Sequence, residues 1–159
     1  MDPLLPGLID YNYWANRRLL AAAGPLSDEE WAAPPDETNI RSLLVHTLSA
    51  ERLWRRRFQR IPDEQIPRLK PAEFPTLASL AELWAEDERE MRAWVSELKT
   101  DDLLATHPDP VDPMPLWQFL LQPIMHSAQH RAEVAMLLTE RGLSPGNLDY
   151  LVYATEEAR

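Results

Sequence analysis

Three of the four histidines have the spacing from which a reactive centre could be built. His126 and His130 lie four residues apart. On a helix four residues turn through about 400°, so both rings leave the same face. Their Cβ atoms then sit roughly 5–6 Å apart, a suitable bite for two imidazoles on one ion. Neutral imidazole suits zinc, nickel, copper or iron, and three nitrogen donors leave one position open for water or substrate. The pair alone is also what ordinary core or surface histidines would show. Its apolar surroundings, Leu120, Leu121, Ile124, Met125, Val134 and Leu137, predict a well-packed segment. His46 lies in another apolar stretch, Leu43-Leu44-Val45-His46-Thr47-Leu48. A histidine buried in such a stretch needs a partner, and a place as third ligand beside His126 and His130 would supply one.

Glu133 follows His130 by three and His126 by seven, so it shares their face. Four roles are open to it: a fourth ligand, an acceptor that orients a histidine, a general base, or a surface glutamate paired with an arginine. His107, in Ala105-Thr106-His107-Pro108-Asp109, reads as a solvated loop residue outside the ligand set.

Helices must position these groups. Glycine is scarce and proline plentiful, 4 against 15, and the prolines cluster between periodic segments. This predicts long helices joined by Pro-rich loops. The first helix spans 4–23, with Leu8, Tyr11, Ala15, Leu19 and Ala22 at helical spacing. Ser27 and Glu30 resemble a capping box opening a short turn that holds Trp31. The second helix spans 40–60, and Ile40, Leu43, Leu44, Thr47, Leu48, Glu51, Trp54 and Phe58 trace one broad face. A loop over 62–75 follows. Thr76 caps a third helix that reads to Leu98, with Leu77, Leu80, Trp84, Met91, Trp94 and Leu98 as its stripe. Residues 100–115 read as a loop. The fourth helix covers 116–141, with Gly142 just past its end and Pro123 inside it, where a kink is expected. A short fifth helix covers 149–157. No strand-period segment of useful length and no repeat is visible. The expected fold is all-α, a single four-helix-bundle domain over 1–159.

Other side chains have simpler readings. Trp14 reads as core and Asn16 as a helix-surface amide, with a pocket at the bundle end as the alternative for both. Tyr150 and Tyr153 could cover the histidines or could pack. Arg52, Arg55, Arg56, Arg57 and Arg60 read as a solvated run that complements the helix dipole. Arg131 directly follows a ligand candidate, but one helical step turns it about 100° away.

Composition excludes several classes. The chain has 159 residues and no cysteine, so thiolate sites and disulfides are out, which fits a cytoplasmic protein. Met1-Asp2-Pro3-Leu4 does not read as a signal peptide. No apolar run is long enough to span a membrane. A formal net charge of -10 argues against nucleic acid as partner.

Together, several motifs resemble the DinB family of DinB/YfiT-like metalloenzymes over most of the chain. They are Tyr11-Asn12-Tyr13-Trp14-Ala15-Asn16, Ile40-Arg41-Ser42-Leu43-Leu44-Val45-His46, His126-Ser127-Ala128-Gln129-His130-Arg131 and Pro145-Gly146-Asn147-Leu148-Asp149-Tyr150. The resemblance implies an up-down-down-up bundle, usually a homodimer, with His46, His126 and His130 as ligands to zinc or nickel. Many members have another histidine where this chain has Gln122, and glycine where it has Ala132. Neither departure removes a ligand; both bear on pocket shape. The resemblance further implies a transferase or isomerase using a low-molecular-weight thiol; metal-assisted hydrolysis of another small molecule is a variant with the same three ligands. A non-catalytic, stress-associated metal-binding protein is the alternative. A helical bundle whose histidines never meet is the third possibility.

Overall fold

The computed structural model describes residues 4–33, 39–107 and 113–157. Its long helices are α1 (Leu4–Ala23), α3 (Ile40–Phe58), α4 (Leu77–Glu97) and α6 (Leu116–Thr139). Shorter helices are α2 (Asp28–Trp31), α5 (Thr100–Leu104) and α7 (Tyr150–Glu157). Among the described residues the fold is all-α apart from one two-stranded antiparallel ribbon, β1 (Thr106–His107) with β2 (Met114–Pro115).

The helix ends follow local chemistry. Ser27 and Glu30 form both bonds of the capping box on α2, as expected. The Thr76 hydroxyl accepts from Ser79 N–H at the start of α4. Asn39, which the sequence reading passed over, caps α3 by accepting from Ser42 N–H at 2.7 Å. α3 ends at Phe58, two residues before the expected end, because Arg60 turns left-handed at φ 61°. Ile61 N–H then bonds Arg56 C=O, and Arg60 N–H bonds Arg57 C=O, closing the helix as a Schellman motif. Gly142, at φ 74°, ends the fourth long helix in the same way, with Leu143 N–H on Leu138 C=O. α6 is unbroken through the buried Pro123.

Cross-helix contacts give the direction of each helix. Along α3, His46, Glu51 and Phe58 meet His130, Ser127 and Phe119 of α6. Rising numbers meet falling ones, so the pair is antiparallel. Tyr13 and Arg17 on α1 meet Asp87 and Glu88 on α4, while Asp10 meets Arg92, again antiparallel. Glu51, Arg55 and Phe58 on α3 meet Trp84, Asp87 and Trp94 on α4, which makes those two parallel. The bundle is therefore up-down-down-up, as the resemblance implied.

A parallel α3–α4 pair obliges the chain to travel back along the bundle, about 28 Å for the 19 residues of α3. The connector over 59–76 makes that return with Ile66 and Phe74 buried. Leu69 N–H donates to Ser49 Oγ at 3.1 Å, and Trp31 Nε1 donates to Phe74 C=O at 3.0 Å. The core between the layers includes Leu19, Leu44, Leu48, Leu80, Leu120, Val134 and Leu138, all at most 1% exposed.

Three expectations are corrected. Residues 100–115 are not simply loop: α5 and the β1–β2 ribbon lie there, stabilised by packing too local to leave a periodic pattern. The buried line of α1 includes Leu5, Ile9, Asn12, Asn16 and Ala23, so Asn16 is a core amide, 1% exposed, and not a surface one. Arg55 is 3% exposed and does not belong to a solvated run.

Candidate metal centre

His46 leaves the middle of α3 on its outer edge and is exposed, while His126 and His130 on α6 are half-buried. α3 and α6 pack side by side, and the helical four-residue step sends both α6 rings toward His46. His46 Nε2 and His126 Nε2 are 3.2 Å apart. The ring centroids are 4.5–5.2 Å from one another, and one nitrogen from each ring lies within 4.8 Å of the others.

That geometry fits an ion. Two nitrogens bound at about 2.0–2.1 Å on a tetrahedral centre stand about 3.3 Å apart, close to the observed 3.2 Å. His130 Nδ1 is 2.7 Å from Glu133 Oε2. With that bond donated by Nδ1–H, the lone pair falls on Nε2, the arrangement in which a carboxylate fixes the tautomer of a metal-binding histidine. Burial is the largest influence on His46 and pushes its pKa down; the His130 and Arg68 charges add to the effect and Glu133 opposes it. Burial also lowers His126, with His130 and His46 adding to it. Both rings therefore favour the neutral form that a metal requires.

Beneath this cluster lies a buried polar network. Glu51, 5% exposed, accepts from Asn12 Nδ2 at 2.7 Å, Asn16 Nδ2 at 3.0 Å, Ser127 Oγ at 2.7 Å and Trp84 Nε1 at 2.8 Å. Arg131 NH1 donates to the Oδ1 atoms of Asn12 and Asn16, and its guanidinium lies 5.5 Å from the centre of the Tyr11 ring. Burial pushes Arg131 down while Glu51 opposes that shift. Of the charged and amide groups here, the sequence pattern placed only Glu51 on a core face, as it did the aromatic Trp84 and Tyr11. It also turned Arg131 away from the histidines, which is where Arg131 stands.

The remaining candidates are elsewhere. Trp14 is core, and its Nε1 donates to Glu156 at 3.3 Å. Tyr150 and Tyr153 pack around Tyr11, and Tyr153 also meets Trp14. His107 is half-buried, not solvated: it packs on Phe119 and Phe58, with Nε2 3.2 Å from Arg57 C=O. It lies outside the triad, as expected. Arg57 pairs with Asp63 and lies over the Trp54 ring; it is half-buried, and of the basic run foreseen as solvated only Arg60 is exposed.

An all-helical bundle with three imidazoles converging at the edge of one helix seam defines a class, that of helical proteins with a candidate metal centre. The chain belongs to the DinB family, whose family model matches residues 2–159. No curated protein matches the chain.

Proposed function

We propose that this chain holds one zinc or nickel ion with His46, His126 and His130 and acts on a small molecule beside it. The reaction is a thiol-dependent transfer or a metal-assisted hydrolysis. The observation that carries this reading is the convergence of the three rings, with two Nε2 atoms at 3.2 Å. A bound ion of this kind supplies Lewis acidity, lowering the pKa of water to about 7 and favouring thiolate over thiol. The chain's own residues present neutral imidazoles, and Glu133 orients His130. The exposure of His46 leaves a side from which a small molecule can approach. One observation favours the alternative of a non-catalytic metal-binding, stress-associated protein: Glu133, the acid available as a base, is engaged by His130.

We also read the protein as a cytoplasmic homodimer. The absence of cysteine suits a reducing compartment, and no helix among the described residues is long and apolar enough to cross a membrane. On the outer side of α6, Met125 is 66% and Met136 59% exposed, next to the uncharged Gln122, Gln129 and Ala132.

The test is metal content per chain by elemental mass spectrometry, on wild type and on His46→Ala, His126→Ala and His130→Ala. About one ion in wild type and little in each variant is expected. A wild type that takes up neither zinc nor nickel on reconstitution would end this reading.

A further inference from the structure

The inner side of the α3–α6 seam carries the Glu51 network, and nothing in the proposed chemistry uses it. Helices α1, α3, α4 and α6 all send polar side chains to it: Asn12 and Asn16, Glu51, Trp84, and Ser127 with Arg131. A carboxylate at 5% exposure is costly unless donors surround it. Those donors are therefore held to narrow positions.

Two of these residues sit beside the histidines in sequence. Ser127 follows His126, and Arg131 follows His130. One helical step rotates a side chain by about 100°. The hydroxyl and guanidinium thus enter the core while the imidazoles face the outer edge. On α3 the five steps from His46 to Glu51 give a net rotation of about 140°, with the same result. Any turn of α6 that swings His126 and His130 off His46 must also pull Ser127 off Glu51 and Arg131 off the two asparagines. Apolar contacts tolerate small rotations, but charge-assisted hydrogen bonds weaken steeply with angle.

We propose that Glu51 is a positioning residue: its hydrogen-bonded network sets the rotation of α6 against α3 and so brings His126 and His130 to His46. This rests on the metal-binding reading above. It predicts that metal affinity depends on buried groups that cannot reach the ion.

The test compares wild type, Ser127→Ala, Glu51→Gln and a core control, Val95→Ala on α4. Zinc affinity is measured by competition with a chromophoric chelator, ligand geometry by the d–d absorption of the cobalt-loaded protein, and folding by the melting temperature of each metal-free variant. Ser127→Ala and Glu51→Gln should weaken zinc binding about tenfold or more and shift the cobalt band. Val95→Ala should lose melting temperature yet keep wild-type affinity and spectrum. If Glu51→Gln does not fold, Ser127→Ala, which keeps the carboxylate and three of its donors, decides the matter. The proposal is overturned if Ser127→Ala binds zinc as wild type does, or if Val95→Ala weakens binding as much. A wild type that binds no metal overturns the metal-centre reading as well, whereas intact binding in Ser127→Ala overturns the positioning role alone.

Discussion

For Glu133, one contact favours the orienting role among the four open to it. Its carboxylate meets His130 Nδ1 at 2.7 Å, the nitrogen left over once Nε2 faces an ion. An orienting acceptor of this kind sharpens metal affinity without adding a bond. We therefore expect Glu133→Ala to weaken zinc binding about tenfold while still taking up one ion with an unchanged cobalt spectrum. A ligand role would alter the spectrum, and a general-base role would leave affinity untouched. The His126–His130 pair was legible in the sequence because its spacing is itself the signal; His46 was reached through its apolar stretch and the family motif, and it is exposed, not buried as that stretch implied. The network beneath the histidines was not legible. Asn12, Asn16 and Ser127 are types that a hydrophobic pattern assigns to the surface; bonds to Glu51, and for the asparagines also to Arg131, satisfy them inside. The available clue was Glu51 itself, a carboxylate at helical spacing with Leu44 and Leu48 on an apolar face.

Between elements, the parallel pair α3 and α4 is fastened by a buried ion pair. Arg55 NH2 is 2.6 Å from Asp87 Oδ1, Arg55 also pairs with Glu90, and Tyr13 OH stands 3.5 Å from Asp87 Oδ2. Burial pushes the Asp87 carboxyl up to about 6, although Arg55 pulls it down. A folded pKa above the unfolded one means the native state holds the proton more tightly. The contribution of Asp87 to stability is thus full below the unfolded pKa of about 3.9 and lost as pH rises through about 6. Relative to Asp87→Asn, the stability of wild type should fall between pH 4 and 6 and level off above 7, as read from urea unfolding at each pH. A difference that rises over that range would show that Arg55 outweighs burial. Removing one partner outright, as in Asp87→Ala, should cost about 3–5 kcal/mol. The four long helices were legible from periodicity, and two of their ends from Thr76 before α4 and Gly142 after α6. Asp87 was not, because it falls in the gap between Trp84 and Met91 on the stripe. Nor were α5 and the β1–β2 ribbon, elements of five and two residues that are too short to leave a periodic pattern and pack against α6.

For the molecule as a whole, the outer side of α6 is the surface we propose for a second copy. Gln122, Met125, Gln129, Ala132 and Met136 recur at alternating steps of three and four along it, the spacing of a helix-to-helix seam. If this side forms the homodimer, sedimentation equilibrium should give twice the chain mass of 18.3 kDa. The double variant Met125→Glu, Met136→Glu should then run as a monomer with its metal content intact. A wild type that is monomeric at high concentration would remove the dimer from the reading.

The return of the chain along the bundle places α3 and α6 side by side although His46 and His126 are 80 residues apart. With no cysteine in the sequence, no disulfide can tie those distant segments together. An ion shared between them would do so reversibly. By chain entropy alone, a permanent link closing a loop of that size is worth about 4–5 kcal/mol. Here the tie would strengthen with the free metal around the protein and would be undone by withdrawing it. The lifetime of the folded chain would then follow metal supply, so that a cell starved of the ion would clear the protein and a replete one would keep it.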